Sequence, residues 1–110
     1  MIKHIIMFKL KDFGSEDIKK QKLNELKIII DELNGKIREI VSIEAGINIS
    51  TRDKAYDLVL VSDFKNEEDL SLYNIHPEHQ KLVGFLKNIR LSSAVVDYDY
   101  ISEYKYGPED

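Results

Sequence analysis

Residues 2–10 carry apolar side chains at both strand parities, and this constrains the fold more than any other feature of the chain. Successive side chains of a strand point to opposite faces. His4, Ile6 and Phe8 therefore fall on one face, and Ile5 and Met7 on the other. The run from Tyr56 to Phe64 repeats the pattern, with Tyr56, Leu58, Leu60 and Phe64 opposed by Val59 and Val61. A strand of this kind needs cover on both sides, so its sheet cannot present one face to water.

The segments around these strands read as helices on one side of a sheet. Ser15 is placed to cap a helix whose first turn holds Glu16 and Asp17, acids that complement the helix dipole. Leu23, Leu26, Ile30, Leu33 and Ile37 recur at spacings of three and four and form one apolar stripe, while Lys19, Lys20, Lys27 and Asp31 fill the rest. Asn34-Gly35 is a stop signal. Ile40 to Ile49 predict a second strand, in which Ala45-Gly46 marks a bulge or a close backbone approach. Asn66 is placed to cap a short acidic helix running through Tyr73. Pro77 opens another, carrying Leu82, Val83, Phe85, Leu86 and Ile89. Ser93 to Ile101 predict the last strand.

The resulting order is β-α-β-β-α-β with a broken second helix, an α+β, ferredoxin-like arrangement. Residues 1–102 form one domain and 103–110 a frayed C-terminal tail, in which Tyr104 and Tyr106 are available to pack on a partner chain. If His4, Ile6, Leu58 and Leu60 lie under the helices, then Ile5, Met7, Val59 and Val61 line the open face. An apolar face of that extent seeks a partner, and the simplest one is a second copy: a homodimer through the open sheet face.

Composition narrows the function. With 110 residues the chain holds one core. Its net charge of −4 and the lack of a Lys/Arg cluster speak against nucleic acid as a partner. There is no cysteine, which fits a reducing compartment and makes the cytoplasm the expected location. The apolar run from Ile5 to Phe8 is too short for an export signal or a membrane span, so no membrane is expected.

Four segments, Lys3 to Lys9, Ile40 to Gly46, Tyr73 to His79 and Val95 to Tyr98, together resemble the stress-responsive A/B barrel family in sequence and in order. The resemblance covers residues 2 to about 100. It implies a dimeric α+β barrel, four strands from each subunit, with a small apolar cavity between sheet and helices. One cofactor-free plant polyketide cyclase of the family acts through a tyrosine and a histidine in this region. By position these fall on Tyr73 and His79, and a further pocket imidazole falls on His4. Leu58 stands where that cyclase has another histidine, a departure that argues for a different substrate.

The resemblance implies Tyr73 and His79 as the candidate catalytic pair, and with the strand parity it gives His4, Ile6, Phe8, Leu58, Leu60 and His76 as ligand-binding residues, with no cofactor or metal expected. His79 would be third in the helix opened by Pro77, where unpaired N–H groups and the dipole disfavour imidazolium. Its neutral imidazole could accept a proton from carbon next to a carbonyl, and the Tyr73 hydroxyl could hydrogen-bond the enolate oxygen. The ligand implied is small, partly apolar and carbonyl-containing, and the reaction a lyase or cyclase step. The competing reading is structural: His76-Pro77-Glu78-His79 starts a helix, His4 is a satisfied core histidine, and the protein is a non-catalytic stress-response or interaction protein with a closed cavity. The spacing of His76, Glu78 and His79 across a proline is poor for zinc. Without a tryptophan, the Asn-Trp-His set of haem-degrading dimeric barrels cannot be assembled. Asp97, Tyr98, Asp99 and Tyr100 read as a cavity edge or as a solvated strand face.

Overall fold

The computed structural model describes residues 1–101. Its elements follow in the order β1 (Ile2–Leu10), α1 (Glu16–Leu33), β2 (Ser42–Ile47), β3 (Leu58–Phe64), α2 (Glu67–Ile75), α3 (Pro77–Ile89) and β4 (Arg90–Asp99). The strands make one antiparallel sheet in the order β2-β3-β1-β4. With the helices on one face, this is the ferredoxin-like fold that the pattern predicts, broken second helix included. The tail expected at 103–110 lies outside the described residues.

The local signals act as expected. The Ser15 side chain accepts from the Ile18 N–H, and the Asn66 side chain from the Asp69 N–H. Asn34 ends α1, and Gly35 follows at φ +92°, a left-handed conformation that a Cβ would strain. Leu23, Leu26, Ile30 and Leu33 bury the stripe of α1, and Ile37, beyond the helix, is buried with them.

Strand ends differ from the pattern. Ile40 and Val41 fall outside β2: the Ile40 N–H closes a turn on the Ile37 carbonyl at 3.3 Å and Val41 is a bend, although its N–H already bonds the Asp63 carbonyl at 2.9 Å. Tyr56 precedes β3, and β4 starts at Arg90, directly after α3, rather than at Ser93. The β2–β3 register runs unbroken through Ala45 and Gly46, so there is no bulge there. A Cβ on Gly46 would instead meet Val59 Cγ1 at 3.3 Å, which makes the site a close approach. The sheet's register shift lies between Lys9 and Leu10, against β4.

The two faces sort as their parity requires. His4, Phe8, Leu58, Leu60 and Phe64 are buried on the helix side. Ile5 pairs with Val61 and Val96 on the open face, and Met7 with Val59 and Ala94. Met7, Val96 and Tyr98 remain exposed there, and Ile5, Val59 and Val61 half-buried. The helices do not reach over β4, whose side chains are exposed on both faces apart from the half-buried Ala94.

Candidate functional site

The α2–α3 break builds the site. His76 is the last cap of α2 and the first of α3, and its Nδ1 accepts the Glu78 N–H at 3.1 Å. Pro77 at the first helical position loses no hydrogen bond and turns α3 away from α2. This places Tyr73, near the end of α2, against His79 in the first turn of α3, with ring centroids 4.4 Å apart. Tyr73 also packs on Phe64 at 4.9 Å and meets the His4 ring edge-on at 6.1 Å.

Tyr73 is 0% exposed, and its hydroxyl has no hydrogen-bond partner among the described residues. Burial pushes the phenol far above its ordinary value near 10, so the group is neutral and holds its proton as a donor. Leaving such a buried group unpaired costs about 1–3 kcal/mol, a strain that a ligand oxygen would relieve.

His79 is half-buried. Because a carbonyl only accepts, its Nδ1–H donates to the Asn74 carbonyl at 3.0 Å, leaving Nε2 as the basic nitrogen. Burial holds the imidazole below the ordinary value of 6.5, and the charges of His4 and His76 act the same way, outweighing the opposing bond to Asn74. His4 lies across the β1–β4 ladder from Asp97, and its Nδ1–H donates to Asp97 Oδ1 at 2.5 Å. Asp97 therefore orients the His4 ring, and among the described residues nothing bonds the opposite nitrogen.

A cavity of about 190 Å³ gathers these groups. His4, Ile6, Phe8, Leu60, Tyr73 and His79 all line it, with Asn74, Leu82, Val83, Leu86, Lys87 and Arg90. Two expected ligand residues do not. Leu58 lies two residues before Leu60 along β3 and lines a separate hollow beside Tyr56, and His76 spends its nitrogen on the cap of α3, as the structural reading has it. A larger hollow of about 350 Å³ lies around Met7, Ile49, Tyr56 and Val59, but its only ionisable side chain is Tyr56. Of these two, it is the smaller that brings imidazole and phenol groups together.

Sequence reasoning missed Asn74, Lys87 and Arg90, and left Asp97 between two roles. Lys87 carried a readable signal, since it continues the spacing of His79, Val83 and Leu86 along one face of α3. Asp97 carried none, because only strand register brings it to His4. Among the described residues no three metal-ligating side chains come together, and no helix is long and apolar enough to cross a membrane.

A curated relative, the stress-response A/B barrel domain-containing protein DABB1 of Arabidopsis thaliana, is 29% identical over 107 residues, covering 89% of this chain and 46% of its own length. The chain thus spans about half the length of that relative. A dimeric protein of unknown function with a ferredoxin-like fold, from Bacteroides fragilis, superposes with a TM-score of 0.82 at 35% identity, covering 90% of this chain and 95% of that one. The hydroxynitrile lyase of Passiflora edulis superposes with a TM-score of 0.75 at 13% identity over 91% of this chain and 93% of that one, a likeness of fold alone. The family model of the stress-responsive A/B barrel domain matches residues 2–100, and the chain belongs to that family.

Proposed function

We propose that the protein is a homodimer, joined through the open sheet faces, whose subunits each bind a small, partly apolar carbonyl compound and act on it as a cofactor-free lyase or cyclase. The observation that carries the reading is the buried, unpartnered Tyr73 hydroxyl, set beside an imidazole held neutral in the same cavity. His79 Nε2 takes a proton from the carbon next to the carbonyl, and the Tyr73 O–H donates to the enolate oxygen that forms. In a cyclase step the enolate carbon attacks a second carbonyl, and the His79 imidazolium returns its proton to the new alkoxide. In a lyase step the same carbon–carbon bond breaks in reverse. The dimeric Bacteroides fragilis structure supports the pairing, and the hydroxynitrile lyase shows one activity hosted by the fold.

The His79–Asn74 bond favours a second reading, in which the imidazole locks the helix break and the protein is a non-catalytic stress-response or interaction protein. Deuterium exchange separates the two. Ketones and β-dicarbonyl compounds are incubated with the protein in deuterated water and followed by NMR. The enzymatic reading expects exchange next to the carbonyl, slowed at least a hundredfold in His79→Ala. Exchange no faster than in buffer, or equal in wild type and His79→Ala, establishes the non-catalytic one.

A further inference from the structure

The cavity is polar at both ends and apolar between. Tyr73, His4 and His79 make one end, and Ile6, Leu60 and Leu82 flank the middle. At the other end stand Lys87, in the last turn of α3, and Arg90, the first residue of β4. Lys87 lies eight residues beyond His79, about 12 Å along the helix axis at 1.5 Å per residue. Beneath it β1 runs from His4, by Tyr73, to Leu10, which pairs with Arg90.

Charge sets this far end apart. The chain as a whole is acidic, at −4, yet no Asp or Glu lines the cavity. Lys3, Lys19, Lys22, Lys27, Lys36 and Lys81 all sit in ion pairs. Among the described residues Lys87 and Arg90 sit in none, and neither do Lys9, Lys11, Lys20, Arg52, Lys54 and Lys65, but of these eight only Lys87 and Arg90 line the cavity; Arg90 reaches only the Ser93 hydroxyl, at 3.5 Å. Two exposed cations converging on one cavity mouth without a counter-ion make a local positive field in an acidic protein. The negative end of the α3 dipole partly offsets it, which suits a singly charged group better than a phosphate dianion.

We propose that the substrate is a carboxylic acid, held by Lys87 and Arg90 through its carboxylate while its carbonyl reaches Tyr73 and His79. The proposal rests on the cavity being the substrate site, as the preceding section reads it. Arg90 offers the planar donor pair that a carboxylate matches, Lys87 adds a point charge, and the apolar middle takes a short methylene chain. The length between the ends selects acids whose carbonyl and carboxyl are well separated.

The test is calorimetric. Methyl-ketone carboxylic acids with three to six methylenes between carbonyl and carboxyl are titrated into wild type and the Lys87→Gln/Arg90→Gln double variant, each beside its uncharged methyl ester. Both substituted side chains are exposed, so the variant keeps its fold. The expected result is at least one acid that binds wild type tenfold or more tightly than its ester, a preference the double variant loses while ester binding stays unchanged. If no acid outbinds its ester in wild type, absence of binding included, or if the preference survives in the double variant, the proposal is overturned. Deuterium exchange in the same samples keeps the two readings apart. Acid preference without exchange leaves the carboxylate site standing and removes the catalysis; exchange without acid preference does the opposite.

Discussion

The Tyr73 and His79 rings stand 4.4 Å apart and tilted by 50°, yet the Tyr73 hydroxyl bonds neither this imidazole nor any other described group. Packing without hydrogen bonding is what a ligand-ready pair requires. A direct Tyr73–His79 bond would spend the donor and the base on each other. The arrangement follows from the His76–Pro77 break, which lets one side chain from each helix enter the same space.

Removing the phenol oxygen should therefore stabilise the fold and weaken the function. In Tyr73→Phe the ring packing on Phe64 and His79 survives, and an unpaired buried polar atom disappears. A gain of about 1 kcal/mol is expected, or roughly 4 °C in Tm for a domain of this size. Ligand binding and deuterium exchange should fall tenfold or more. Thermal unfolding at fixed protein concentration checks the first effect, and a Tm lower than wild type would mean that the hydroxyl has a partner in solution.

His79 should make stability fall on mild acidification. Its folded pKa lies below the unfolded value near 6.5, so between those values the unfolded state binds more protons. The contribution is fully present above the unfolded pKa and is lost as pH falls below it. Urea midpoints at pH 7.5 and pH 5.5 should differ in wild type and differ less in His79→Gln. An NMR titration placing the His79 midpoint at or above 6.5 would contradict this assignment.

Asp63 sets a second, more acidic window. It sits on the open face and accepts from Ser42 Oγ at 2.5 Å and the Tyr100 hydroxyl at 2.6 Å, with Lys3 Nζ at 3.1 Å. Burial pushes its carboxyl up, but these hydrogen bonds and the Lys3 charge outweigh burial and hold it below 3.8. Its contribution is thus present above the unfolded pKa and lost as pH falls through the lower folded one. Asp63→Asn should flatten the loss of stability below pH 4 measured by chemical denaturation, and an unchanged acid limb would show that the network contributes nothing.

What the sequence disclosed about this site follows a physical divide. Parity and helix spacing are local, so the helix-side placement of His4, Ile6 and Phe8 and the third-position placement of His79 could be read directly. Capping chemistry is local too, and His76 before a proline already suggested a cap. Cross-element partners are not local. The His4–Asp97 bond depends on the β1–β4 register, and Arg90 reaches the cavity only because β4 begins without a loop after α3. Leu58 shows the same limit from the other side: it has the right parity, but parity selects a face of the sheet, not a position along it.

The open face carries the last prediction. Val59 and Val61 on β3 lie across from Met7 and Ile5 on β1, and Val96 continues the row onto β4. With Met7 and Val96 exposed, this apolar strip crosses three strands on the side that no helix covers. Covering it with a second copy removes that surface from water, at roughly 25 cal/mol per Å² buried. A charge at its centre must be desolvated on pairing without a partner, which typically costs several kcal/mol. Val59→Asp should accordingly run as a monomer or aggregate in size-exclusion chromatography with light scattering, with far-ultraviolet dichroism retained in any monomer because Val59 faces away from the helix-covered core. Lys20→Asp, on the surface of α1, serves as the charge control and should stay dimeric. A Val59→Asp protein as fully dimeric as that control would place the subunit interface somewhere other than the open sheet face.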